Sequence, residues 1–133
     1  MIQDVEVPLD RLATFLAWFD EEVGMRPVWL CPLRLRGERT WPTYPLGAGV
    51  TYVNVGFWGA VNVGPDAPDA PRNRAIEAKV HELGGHKSLY SEAFYDRDTF
   101  DRLYDGGNLA AVKQRHDPDD RFTSLYDKAV KRR

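Results

Sequence analysis

Cys31 and three histidines, His81, His86 and His116, are the side chains of this sequence best suited to nucleophilic or metal chemistry. A zinc site needs ligands at short fixed spacings, such as two histidines one helical turn apart or paired cysteines. The histidines lack that spacing with Cys31 or with a metal-binding signature, so no metal site is expected and each histidine reads as structural or exposed. Cys31, between Leu30 and Pro32, has no base beside it in sequence, and reads as a small buried thiol rather than a nucleophile. The glycine pairs Gly84-Gly85 and Gly106-Gly107 fall at helix boundaries, outside the strand-to-helix setting in which a glycine-rich turn cradles phosphate. They are expected to be caps. Catalysis by this chain alone has no constellation to rest on.

The segments that must position any site alternate in a definite order. Ile2 to Val7 has β-branched residues at alternate positions and ends at Pro8, a first strand. Leu12, Leu16, Phe19 and Val23 recur at helical spacing up to Gly24, a first helix. Pro27 to Leu35 is a second strand, bent or at an edge because it carries Pro32. After a Pro- and Gly-rich loop over 37–49 with Trp41 and Tyr44, Thr51 to Trp58 alternates strictly as a third strand. Asp69 can cap a second helix with Pro71 in its first turn, striped by Ile76, Val80 and Leu83 and stopped by Gly84 and Gly85. Lys87 to Tyr95 then reads as a fourth strand.

That order predicts an α+β fold of the ferredoxin-like (βαββαβ) type over residues 1–95, an antiparallel sheet with both helices on one face. A helical extension over 96–133 completes a single domain, with a short helix capped by Asp98, another beginning at Asn108 and a last turn from Thr123 to Val130. If the helices cover Val53, Val55 and Phe57, the other face of the third strand presents Tyr52, Asn54 and Trp58. In the fourth strand the same parity separates Leu89, Ser91 and Ala93 from Tyr90, Glu92 and Phe94. A face mixing aromatic and polar groups either meets a ligand or another domain, or is covered by the carboxyl-terminal helices.

Composition narrows the function classes. A chain of 133 residues with 43% hydrophobic and 29% charged residues can form one packed core. A formal net charge of −2 gives no broad basic field for nucleic acid, and the terminal run of Lys128, Lys131, Arg132 and Arg133 reads as a solvated helix end. One cysteine allows no internal disulfide, which points to a reducing, cytoplasmic setting. No apolar run approaches the ~20 residues that span a bilayer. A strand that begins at residue 2 suits a cut made inside a longer protein.

Four blocks, IQDVEVPLDRL, PVWLCPLRL, GGHKSLYSEAFYDRDTF and HDPDDRFTSLYDKAV, resemble in order the carboxyl-terminal part of FAD-linked oxidoreductases of the vanillyl-alcohol-oxidase-like superfamily, the delta-24 sterol reductases above all. The resemblance implies a sheet roof on the substrate side of a flavin that is held by an amino-terminal FAD-binding domain, to which nothing in this chain corresponds. It implies a lipophilic, sterol-like substrate for the full-length parent, and a chain that neither catalyses nor binds FAD stably alone. It places Tyr90 and Glu92 nearest the flavin or substrate. Trp29, Tyr52, Asn54 and Trp58 are expected, from their faces, in a substrate pocket or domain interface. Lys87, Arg97 and Arg121 are expected to pair with local carboxylates or with the absent domain. The alternative is an independent ferredoxin-like module that captures a small ligand or dimerises through the open sheet face, without redox chemistry; in either case self-association into a homo-oligomer is plausible.

Overall fold

The protein, seen in a computed structural model that describes residues 1–132, is built on a four-stranded antiparallel sheet. Its elements are β1 (Ile2–Pro8), a single 3-10 turn (Leu9–Arg11), α1 (Leu12–Glu22), β2 (Trp29–Arg34), β3 (Thr51–Trp58), α2 (Pro71–Glu82), β4 (His86–Lys87), α3 (Arg97–Leu103), α4 (Gly106–His116) and α5 (Leu125–Ala129). The strand order β2-β3-β1-β4 with the sequence βαββαβ is the ferredoxin-like arrangement expected from the sequence.

Register fixes which side chains meet. In the β1–β3 ladder Val5 faces Val55, Val7 faces Val53 and Gln3 faces Phe57. Those residues, except Gln3, join Phe15 and Phe19 of α1 and Ile76 and Val80 of α2 in one core, in which the Phe19 and Phe57 rings meet tilted with centroids 4.7 Å apart. Both helices of the βαββαβ unit therefore cover a single face. Because side chains alternate along a strand, every residue between these core positions is forced to the other face.

The fourth strand is shorter than the sequence pattern suggests. It ends at Lys87, and 88–96 runs as irregular backbone rather than as the strand expected to Tyr95. Buried polar groups take the backbone and side chains of that segment instead. Lys87 is buried on the helix side, where its ammonium donates to the Ser88 carbonyl at 3.0 Å and Ser91 Oγ at 3.4 Å. The buried Glu77 carboxylate of α2 accepts the Phe94 N–H at 3.1 Å and Gln3 Nε2 at 3.5 Å. The chain wraps this pair of charges instead of continuing the ladder, so the strand parity assigned to 89–94 does not apply.

Beyond it, α3 and α5 close a second core of Phe100, Tyr104 and Ala129, with Leu89, Tyr95 and Tyr126 packed around it. The Tyr104 hydroxyl donates to the Lys87 carbonyl at 2.7 Å, which pins this extension to the sheet at β4. Cap positions differ from expectation by one to three residues. The N-cap of α2 is Ala70, in a left-handed conformation, while Asp69 pairs with Arg74 at 3.6 Å. Asp96 rather than Asp98 caps α3, and Asp105 caps α4, ahead of Asn108. Among the described residues no helix is long and apolar enough to cross a membrane.

Candidate functional site

The sheet face opposite the helices can be read row by row across the ladders. One row runs His86, Glu6, Asn54, Cys31; the next, Asp4, Gly56, Trp29; the last pairs Ile2 with Trp58. A cleft of about 510 Å³ lies over the last two rows, lined by Ile2, Asp4, Trp29, Asn54, Trp58 and, from the segment after β4, Ser88 and Tyr90. Trp29, Trp58 and Tyr90 are 58%, 63% and 74% exposed, which is unusual for large aromatic side chains grouped around one cleft.

Gly56 makes this floor possible. A Cβ there would lie 2.7 Å from Asp4 Oδ1 and 3.4 Å from the Trp29 Cβ, so the missing side chain leaves room for the Asp4 carboxylate to lean over its cross-strand partner. At one end of the cleft Asn54 donates from Nδ2 to Glu6 Oε1 at 2.7 Å. Glu6 is buried, and burial holds its carboxyl above the usual carboxylate range despite the Tyr44 hydroxyl and the Asn54 amide near it. Its Oε2 and the Nε2 of its cross-strand partner His86 are both buried without a hydrogen-bond partner among the described residues. His86 is held between the rings of Tyr44 at 4.7 Å and Tyr104 at 5.0 Å. Burial, with Lys87 next to it, pushes its pKa down to about 4, so it is neutral at neutral pH.

The sequence-predicted residues separate into groups. Trp29, Asn54, Trp58 and Tyr90 converge on one cleft. Tyr52 does not: it is buried, and its hydroxyl accepts the Gly47 N–H at 3.1 Å beneath the 44–47 loop. Glu92 lines a neighbouring groove of about 790 Å³, on whose rim Tyr90 also stands, and pairs with Arg132 at 3.0 Å. The carboxyl-terminal helices cover the His86 end of the face but leave Trp29 and Trp58 open. Cys31 is exposed rather than buried, because β2 is the edge strand and nothing packs over its outer end. Arg97 pairs locally with Asp101 at 2.7 Å, whereas the buried Lys87 ammonium donates to Ser88 and Ser91 and feels the Glu77 charge without an ion-pair contact.

Asp4, Glu6 and Gly56 were missed by residue-type reasoning. Their signal was present: Asp4 and Glu6 alternate with Val5 and Val7 in β1, which assigns two acids to the face opposite the core. No group of three or more potential metal ligands occurs among the described residues. The site is thus an aromatic-walled cleft with a carboxylate floor and an amide at one end. It can hold a flat apolar body and hydrogen-bond a donor.

Comparison with known proteins agrees with the four sequence blocks. The chain is 28% identical over 132 residues to Delta(24)-sterol reductase of Rattus norvegicus, covering 98% of this chain and 25% of that protein. It is 27% identical over the same 98% to Delta(24)-sterol reductase of Homo sapiens, and 27% identical to that of Arabidopsis thaliana over 100% of this chain and 27% of that protein. The resemblance extends along essentially the entire chain, which spans about a quarter of the length of the curated relatives it matches. No protein-family profile matches, and no solved structure matches.

Proposed function

From this whole-length similarity to Delta(24)-sterol reductases, we propose that the chain is the substrate-side part of an FAD-dependent oxidoreductase, a roof over a flavin held by a separate amino-terminal domain. The observation that carries the reading is the open cleft at Trp29, Trp58 and Tyr90, a large aromatic surface with none of the described residues packed over it. Its donor set suits the face of a flat uncharged ring. It does not suit the phosphates of a dinucleotide, which Asp4 would repel. When bound, the flavin supplies the hydride chemistry. The residues of this chain supply shape and polarity: Trp29 and Trp58 exclude water from a lipophilic, sterol-like substrate, and Asn54, held by Glu6, fixes a hydrogen-bonding group at its edge. Tyr90 and Glu92 are the proposed flavin-side contacts, Tyr90 from the rim shared by both clefts and Glu92 from the neighbouring groove. The lone free thiol fits a reducing, cytoplasmic setting.

On this reading the chain binds no FAD stably and is inactive alone. Purification in the presence of excess FAD followed by a visible spectrum tests it: a colourless protein is expected, and retained yellow flavin with a tight dissociation constant overturns it. One observation favours a second reading, in which the chain is an independent module that dimerises. The edge strand β2 is almost wholly exposed, with Trp29, Leu30 and Cys31 on it, and offers an unpaired ladder to a second copy. A concentration-dependent dimer in sedimentation, lost on L30K, favours that reading; a monomer at all concentrations removes it.

A further inference from the structure

We propose that the long loop joining β2 to β3 is a docking tip for the surface of an anionic phospholipid bilayer, on which Arg34, Arg36 and Arg39 hold the protein while Trp41 enters the headgroup layer. The loop lies outside the aromatic cleft, so this surface does not depend on what occupies that cleft. Charge complementarity carries the inference. From Val23 to Pro65 the chain has a single acid, Glu38, against Arg26, Arg34, Arg36 and Arg39. Arg26 is held by Asp20, whereas Arg34, Arg36 and Arg39 are exposed and have no ion-pair partner among the described residues. The chain as a whole has a net charge of −2, so the tip has the opposite sign to the molecule that bears it.

The base of the loop is fixed and its tip is bare. Leu46 is buried, the Gly47 N–H donates to the Tyr52 hydroxyl at 3.1 Å, and the Tyr44 ring meets His86 edge-on at 4.7 Å. The Tyr44 N–H closes a turn onto the Trp41 carbonyl at 3.0 Å, and Trp41 itself is left 51% exposed, with the Arg39 guanidinium 5.4 Å from its ring centre. On the other limb of the loop Val50 is exposed, and the Arg34 guanidinium comes within 3.9 Å of where a Cβ on Gly49 would sit. Exposed indole and arginine side chains together match the bilayer interface, where the guanidinium meets lipid phosphate and the indole settles at headgroup depth. So short a basic tract does not follow the phosphate run of a nucleic acid. The larger clefts of the molecule lie elsewhere, so the tip offers a protein partner no socket of comparable size. A bare cationic tip with one large aromatic suits a soft planar surface.

The test mixes the full chain with vesicles of phosphatidylcholine alone, or of phosphatidylcholine with phosphatidylglycerol, and reads the fraction of protein that floats with the lipid. Binding is expected only to the vesicles containing phosphatidylglycerol, and should weaken as salt is added. Each of R34Q, R36Q and R39Q should lower the partition about fivefold, the scale of one cation beside an anionic leaflet. Brominated phosphatidylcholine in the same vesicles should quench part of the tryptophan fluorescence, and W41F should remove that quenching. Equal binding to both kinds of vesicle, no binding, or undiminished binding of the triple arginine variant overturns the proposal. Quenching that persists in W41F shows that another indole enters the lipid, and overturns the loop as the point of contact. Association with a DNA duplex or with polyglutamate as tight as with the vesicles overturns the bilayer as the partner, in favour of a nucleic acid or an acidic protein surface.

Discussion

Gly56 and Asp4 are the pair on which the cleft depends at the level of single residues. G56A would place a methyl group 2.7 Å from Asp4 Oδ1, the mobile end of a half-buried side chain that can swing aside, and is expected to cost less than about 1 kcal/mol while moving the carboxylate. Urea denaturation of G56A, D4A and the double variant measures the coupling: D4A should recover much of the loss, since it removes the atom that is struck. His86 gives a second residue-scale expectation. Its folded pKa of about 4 lies below its ordinary 6.5, so the unfolded chain binds more protons between those values. Stability from this group therefore rises with pH from about 4 to 6.5, and is lost as pH falls through that window. H86F, keeping an aromatic ring between Tyr44 and Tyr104, should flatten the acid limb of a denaturation midpoint plotted against pH. An unchanged acid limb would show that the imidazole does not stay neutral there.

At the scale of elements, legibility followed how local the determining forces are. Thr51 to Trp58 was readable to the residue because Val53, Val55 and Phe57 alternate with Tyr52, Asn54 and Trp58, and that period is a property of the strand itself. The fourth strand was not readable, because beyond Lys87 the chain turns to offer Ser88 and Ser91 to that ammonium and the Phe94 N–H to Glu77 of α2. Nothing in LYSEAFY announces that Glu77 will accept the Phe94 N–H. Cys31 escaped for a related reason: that β2 is an edge follows from strand order, which one strand's composition does not encode. The same buried charges give the element-scale prediction. Burial raises the Glu77 pKa and lowers that of Lys87, and each charge counteracts the effect on the other. K87M leaves Glu77 buried without its cation and should cost about 3–5 kcal/mol, whereas K87M with E77L should cost clearly less. Denaturant midpoints of the two variants decide it; equal losses would mean that the pair does not act as a unit. Because Tyr90 stands on the segment this pair holds, amide exchange at Phe94 should also accelerate in K87M.

For the molecule as a whole, the arrangement has a direction. Helices α1 and α2 seal one face of the sheet, the carboxyl-terminal helices seal the β4 edge through Tyr104, and the 44–47 loop closes over Tyr52. What remains open is the region of Trp29, Trp58 and Tyr90, flanked by Asp4 and Asn54. Reasoning from strand faces located that face and three of its lining side chains, Trp29, Asn54 and Trp58, while Tyr90 came from the family resemblance; neither could show that Tyr52 would be roofed or that Glu92 would turn to Arg132, since both depend on loops folding back. The most direct measurement of the central claim is photolabelling of the chain with a diazirine-bearing sterol, followed by peptide mass spectrometry. The account predicts label concentrated on peptides carrying Trp29, Trp58 and Tyr90, and competed by unmodified sterol. Label scattered over the surface, or concentrated on the helix side around α1 and α2 with the cleft untouched, would contradict it.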